Sequence, residues 1–409
     1  MVLQKKSLAE WNFAPFIQAA HAESLLYDIP ILDSPANATI HLGQRELVNF
    51  AGINFLGLQQ EEEVVSHFIE ASRKYGLVTG GSRLLQGVCQ AHQQVEDLLC
   101  RITGKERAIT FASGLLANLG FLHAMSTHFR KSSACSIDNR DTIFVLDRDS
   151  HWSLRKGVER FPLNQQLFYF QHNDPAHLAE VLAGLSGAKV VVVFESVYSS
   201  DGGIAPIGTL LDVCERYGAV SYIDDANGFL IYGPKHRPFA QEFAQLQRAT
   251  FIMVSFSKSV GLEGGAIAGP AEAIRAFELL AGTSIFTAAM QPPTASTAHV
   301  IMRKLLEHPH FIDDYLVHVG WFRQRLLEIG CVLNPVPTYI TSIFLGDDEK
   351  VEPVRRELLE RGYLVAVFHY PLVKFNHAVI RIIPNLRHTA GQIDDFIETM
   401  QYVKHKYTF

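Results

Sequence analysis

Val190-Val191-Val192-Val193-Phe194 is apolar at every position, where a strand with one wet face would alternate. Such a run implies a strand buried on both faces, the condition of a parallel sheet covered by helices on each side. Thr142-Ile143-Phe144-Val145-Leu146 upstream and Phe251-Ile252-Met253-Val254 downstream read the same way. Between the last two runs, Pro206 to Tyr217 spaces apolar residues as a helix does, and Gly218 is placed to stop it. From Ala108 to Gly265, short buried strands alternate with helical stretches. The expected fold class is therefore α/β, a mostly parallel central sheet with helices on both faces.

Beyond the Pro292-Pro293 pair the texture changes to longer amphipathic stretches, followed by strands at Tyr339 to Leu345 and Val379 to Ile383. This reads as a smaller α+β body joined near residue 290. The N-terminal stretch reads as a helix and a short strand pair packed on one of these bodies. The expected organisation is an N-terminal segment (1–75), a large domain (76–290) and a small C-terminal domain (291–409).

Composition narrows the function classes. The chain has 409 residues, 48% hydrophobic and 19% charged, well away from disordered or collagenous compositions. Thirty-six Lys and Arg against 42 Asp and Glu leave a net charge of -6, which argues against a nucleic-acid partner. Five cysteines, Cys89, Cys100, Cys135, Cys214 and Cys331, form an odd set without C-x-x-C spacing, so neither a disulfide framework nor a zinc ribbon is expected. A reducing, cytoplasmic setting fits that usage. Lys5 and Lys6 near the start are followed by no apolar stretch of signal-peptide length, and no run is long enough to span a membrane.

The sequence contains no G-x-x-x-x-G-K-[ST], no G-x-G-x-x-G after a strand, no H-E-x-x-H and no G-x-S-x-G. What it does contain is a polar residue at the end of one expected strand after another, where ligands bind in open α/β sheets. These are Ser113-Gly114, His151, Glu195 with Ser199, Asp224 and Lys258. Lys258 follows a buried strand and precedes Gly261-Leu262-Glu263-Gly264-Gly265. A lysine there can have a lowered pKa and form a Schiff base, although a lone loop lysine is usually just solvated. Asp224 ends Val220-Ser221-Tyr222-Ile223 and is either a helix N-cap or the partner of a protonated ring nitrogen, worth about 4 kcal/mol at ~4 Å with an effective dielectric near 20. Ser113-Gly114-Leu115 opens a helix whose first amides offer a phosphate site, to which Ser255 could add a hydroxyl. His151 could stack on an aromatic ring or relay a proton.

The order and spacing of these residues resemble the α-oxoamine synthases, a branch of the fold type I pyridoxal 5'-phosphate (PLP) enzymes. The matching stretches, in family order, begin with Asn54-Phe55-Leu56-Gly57-Leu58, Gly80-Gly81-Ser82-Arg83-Leu84-Leu85-Gln86-Gly87 with His92, Phe111-Ala112-Ser113-Gly114 and Asp149-Ser150-His151. They continue with His172-Asn173-Asp174, Glu195-Ser196-Val197-Tyr198-Ser199-Ser200-Asp201-Gly202, Ile223-Asp224-Asp225-Ala226-Asn227-Gly228 and Ser255-Phe256-Ser257-Lys258. Phe286-Thr287 and Val379-Ile380-Arg381-Ile382 complete the series.

The resemblance implies that Lys258 holds PLP, Asp224 pairs with the pyridine nitrogen and His151 stacks on the ring. It implies phosphate contacts from Ser113, Gly114, Leu115 and Ser255, with Thr287 added from a second subunit of a homodimer. Ser199 would approach the ring oxygen, Asn54 would line the substrate site, and Arg381 would clamp the amino-acid carboxylate with its planar fork. Three features depart from the family pattern: Asn227 stands where histidine is usual, Leu115 where an aromatic residue is usual, and the connection from Ser126 to Asp141 is longer. An asparagine amide can still donate to the ring oxygen but carries no charge.

The activity so implied is condensation of a small amino acid with an acyl-CoA or acyl-carrier thioester to an α-amino ketone. Gly81-Ser82-Arg83 leans toward the serine palmitoyltransferase side of the family. The rivals are another PLP reaction on the same fold, transamination or aldol cleavage, and a non-catalytic partner subunit, against which the presence of Lys258 argues.

Overall fold

The computed structural model describes residues 8–23, 25, 26 and 29–409; Met1 to Ser7, and with them Lys5 and Lys6, lie outside the described residues. At the centre is a seven-stranded sheet in the order Arg107–Phe111, Gly265–Gly269, Phe251–Ser255, Val220–Asp224, Val190–Glu195, Ile143–Asp147, Leu167–Phe170. The last five pair in parallel; only Gly265–Gly269 runs against both its neighbours.

The all-apolar runs have a direct structural counterpart. Val190, Val192 and Phe194 belong to one hydrophobic core, and Val191 and Val193 to another on the opposite face. Ile252 and Val254 against Phe251 and Met253 divide in the same way. Burying each such side chain contributes about 1.5–3 kcal/mol. That offsets the ~1–2 kcal/mol of entropy lost when each backbone residue is fixed. Helix Ile207–Tyr217 ends at Gly218, which takes the left-handed conformation (φ 68°) of a helix stop.

A third core lies in the C-terminal part, around a three-stranded sheet in the order Thr341–Gly346, Ala378–Ile382, Ala366–Phe368 and the helices His310–Glu328, Val351–Glu360 and Ala390–Tyr407. The expected strand at Tyr339 begins two residues later, because the Tyr339 amide donates to the Tyr232 hydroxyl (3.2 Å) and not to a neighbouring strand. The N-terminal strand pair, Thr39–Leu42 and Arg45–Asn49, is present, but Tyr363–Leu364 joins it in parallel, so this hairpin shares a sheet with the C-terminal part. Two helices, Phe13–Ala22 before it and Glu62–Tyr75 after it, stand where one was expected. The long connection from Ser126 to Asp141 forms an exposed hairpin of His128–Arg130 and Ser136–Asp138. Among the described residues no helix is long and apolar enough to cross a membrane, and no group of His, Cys, Asp and Glu could hold a metal ion.

Candidate active site

The strand register brings the polar ends together. Glu195 and Asp224 are the last residues of adjacent parallel strands and are direct partners across them. Asp224 is buried; its Oδ1 accepts from the Ala226 amide (3.0 Å) and its Oδ2 from Asn118 Nδ2 (2.8 Å). Burial pushes its carboxyl above the usual range, against the pull of Asn118, His151 and Lys258. Glu195 is pushed well above, by burial first and then by Asp224. Its carboxylate accepts the backbone amides of His151 (2.6 Å) and Ser199, so one buried acid pins two of the residues expected around the ring.

Lys258 comes three residues after the strand end at Ser255. Burial, then Arg381, lower its amine to about 8, while Asp224 and Glu195 act in the opposite sense. Among the described residues it has no ion-pair partner. Arg381 occupies the middle strand of the C-terminal sheet, not an exposed edge. Its guanidinium lies 4.5 Å over the Phe368 ring, its Nε is buried without a hydrogen-bond partner, and burial lowers its pKa. Two cations without carboxylate partners thus face the same strand ends as two raised carboxyls.

His151 caps the helix Trp152–Val158, with Nδ1 2.7 Å from Ser153 Oγ; the side chain is otherwise exposed, and burial of part of it lowers its pKa. Ser113 caps Gly114–Ala124: its Oγ accepts the Leu116 amide (3.2 Å), which engages that hydroxyl with its own helix. The amides of Gly114 and Leu115 are the first two of this helix and have no intrahelical acceptor. A Cβ on Gly114 would sit 3.2 Å from both Cβ and Oγ of Ser255, and one on Gly265 only 2.7 Å from the Gly114 Cα. The glycines therefore let the helix start close against the strand ends, with Ser255 beside it. Leu115 is exposed at this helix start.

The remaining expected residues are less tightly gathered. Asn54 donates to the Ala36 carbonyl (2.6 Å), and its Cβ is 3.7 Å from where a Cβ on Gly261 would be. Thr287 is half-buried after the short helix Gly282–Ile285, next to Phe286, which is 87% exposed. Among the described residues no hydrogen bond joins it to Lys258 or Asp224. Asn227 is buried, donates from Nδ2 to the Val197 carbonyl (3.2 Å) and accepts at Oδ1 from the Tyr339 hydroxyl (3.1 Å).

Sequence reasoning missed two of these partners, Asn118 and Tyr339. Asn118 also donates to Ser153 Oγ (2.8 Å) and accepts from the buried Tyr222 hydroxyl (2.7 Å). A lone amide inside the otherwise apolar stretch from Ala117 to Leu122 is the signal that could have found it. A cavity of about 450 Å³ lies elsewhere, past Asp225 and lined by Phe229, Tyr232, Phe243 and Leu305, and does not include Lys258.

The donor set fits PLP: an amine with a lowered pKa, a buried carboxylate held by an amide, and free helix-start amides beside a serine. The comparisons agree. The aminotransferase class I and II family matches residues 45–400. The chain is 30% identical to an 8-amino-7-oxononanoate synthase of Alcanivorax borkumensis, over 90% of this chain and 92% of that one. It is 28% identical to 5-aminolevulinate synthase 2 of Cereibacter sphaeroides, over 87% and 85%. Among solved structures, a serine palmitoyltransferase from S. paucimobilis with a bound PLP-myriocin aldimine superposes with a TM-score of 0.87 at 25% identity, covering 98% of this chain and 99% of that one.

Proposed function

The chain belongs to the aminotransferase class I and II family and, within it, to the PLP-dependent α-oxoamine synthases, and from that premise we propose that it condenses a small amino acid with an acyl-CoA thioester. CO2 and free CoA leave, and the product is an α-amino ketone. The amino acid loses its α-proton to the enzyme, the α-carbon bonds to the thioester carbonyl as the thiolate departs, and a proton returns to that carbon after CO2 leaves. PLP supplies the electron sink for the carbanion.

The chain's own residues take these roles. Lys258 would anchor the cofactor and serve as the base for the α-proton; an amine with a pKa of about 8 is suited to give and take a proton near neutrality. Asp224 would hold a proton on the ring nitrogen, His151 would pack against the ring, and Ser199 and Asn227 would serve its oxygen. Gly114, Leu115 and Ser255, with Ser113 shaping the turn, hold the phosphate. Arg381 binds the amino-acid carboxylate and Asn54 lines the substrate site. Thr287, with no partner in its own subunit's site, reaches the phosphate of the second subunit in a homodimer, and the exposed Phe286 beside it fits a buried position there.

The observation that carries this reading is the meeting of an unpaired amine and an unpaired guanidinium at the strand ends. One site for the cofactor and one for a carboxylate are what a condensing enzyme needs. The test is a matrix of amino acids against acyl-CoA chain lengths, read by thiol release from the PLP-loaded protein. Amino-acid-dependent CoA release is expected for at least one pair. Keto-acid formation without thiol release would assign a transaminase instead.

A further inference from the structure

Asn227, one of the three departures from the family pattern, is tied to a segment arriving from the C-terminal part. Thr338 Oγ1 donates to the Gly202 carbonyl (2.8 Å), and Asn334 Nδ2 donates to the carbonyls of Val336 and Ile340 (both 3.0 Å). Gly202 has φ +69°, and a Cβ there would come within 2.7 Å of Asn334 Nδ2 and Thr338 Oγ1. The segment is thus locked against the loop that carries Ser199. Between these contacts Tyr339 reaches Asn227.

The hydrogen bonds determine how the Asn227 amide is turned. The Val197 carbonyl can only accept, so Nδ2 faces it (3.2 Å) and Oδ1 faces the Tyr339 hydroxyl (3.1 Å). One Nδ2 hydrogen goes to Val197 and the second is free for another acceptor. Tyr339 is fully buried, with its ring centroid 4.5 Å from that of Phe55, so it cannot follow a swinging amide. The charged and titratable groups facing it are Arg381, Asp225, Tyr232 and Tyr315.

We propose that Tyr339 is a positioning residue for the cofactor: its hydroxyl orients the Asn227 amide so that the free Nδ2 hydrogen donates to the oxygen on the PLP ring. The proposal rests on the reading that Lys258 carries PLP. Burial holds the Tyr339 hydroxyl protonated, so the relay from Tyr339 through Asn227 is neutral throughout. A donor in this position withdraws negative charge from the ring oxygen. Loosening it leaves more charge there, which favours the proton on the Lys258 nitrogen nearby.

The test is a pH titration of the absorbance of the lysine-linked cofactor in the wild type, Tyr339→Phe, Asn227→Ala and the double variant. Tyr339→Phe keeps the ring that packs on Phe55, and should raise the chromophore pKa by about half a unit or more. Asn227→Ala should raise it at least as far, and adding Tyr339→Phe to it should change nothing further, because the tyrosine acts through the amide. A second background, Asn227→Asp, retains an acceptor for Tyr339 but offers no amide hydrogen, and should also be insensitive to Tyr339→Phe. An unshifted pKa in Tyr339→Phe, or an equal shift with and without Asn227, overturns the proposal. Failure of the underlying reading is separate: the wild type would then show no lysine-linked chromophore at Lys258.

Discussion

Replacing Asn118 with leucine tests the floor of the site. The side chain is fully buried and makes three hydrogen bonds of 2.7–2.8 Å, to Asp224, Ser153 and Tyr222. Leucine branches at the same carbon with the same number of side-chain heavy atoms but is bulkier, so some overpacking adds to the loss of polarity. Ser153 Oγ keeps a partner in His151 Nδ1, but the buried Tyr222 hydroxyl loses its acceptor and Asp224 Oδ2 loses its donor. Each buried group left unpaired costs about 1–3 kcal/mol, so the apo-protein should lose ~2–6 kcal/mol, read by urea denaturation. Because the Asn118 bond is what most favours the charged form of Asp224, its removal also pushes that carboxyl further up, and PLP affinity should fall. The two effects separate on adding Tyr222→Phe. Deleting the orphaned hydroxyl should restore about 1–3 kcal/mol of stability, while the loss of PLP affinity persists. Unchanged stability in Asn118→Leu, or no recovery in the double variant, would refute the reasoning.

Three further outcomes are expected. Arg381→Ala should weaken amino-acid binding by about 3–5 kcal/mol, measured by spectral titration, with PLP still bound and the apo-protein no less stable, since the guanidinium has no ion-pair partner to leave behind; unchanged affinity would remove its role. Lys258→Ala should lose the yellow chromophore and turnover. In the wild type the rate of PLP uptake should rise about tenfold per pH unit and level off above about 8, because only the neutral amine attacks; a flat profile between pH 7 and 9 would count against that amine. Glu195→Gln should bind PLP nearly as well as the wild type, whereas Asp224→Asn should not, as compared by equilibrium dialysis.

What was legible in the sequence followed from how much of each signal is local. Val190 to Phe194 and Phe251 to Val254 declare their strands because two cores demand apolar residues at every position. Gly265–Gly269 does not announce itself as a strand, since glycine is depleted in strands. Its glycines answer to close approach: a Cβ on Gly269 would fall 2.3 Å from the Phe251 ring, and one on Gly265 would strike the Gly114 backbone. Tyr339 looked like the first residue of a strand because it is apolar and flanks one, yet its amide and hydroxyl serve residues more than 100 positions away. Asn118 lies on a helix whose other buried side chains are apolar, and its partners become neighbours only when the strand ends come together. Lys258, Asp224 and Arg381 are legible as candidates because their residue types and order match the resemblance, and the fold brings their charges within reach of one another.

The two strand-end acids are alike in sequence and opposite in task, and their surroundings explain the division. Side by side in register and cut off from water, both carboxyls are raised by burial, and the Asp224 charge raises Glu195 further. Glu195 is the one pushed well above the ordinary range; two backbone amides favour its ionised form, and it has its neighbour's charge against it. Asp224 has the Asn118 amide, the Ala226 amide, His151 and Lys258 all favouring its ionised form. The balance thus favours a proton on Glu195 over one on Asp224, and a neutral acid there can still accept the His151 and Ser199 amides. Asp224, with more groups favouring its ionised form, is the acid proposed to pair with the ring nitrogen. Environments that drive two acids apart in this way give one a structural task and leave the other to the chemistry.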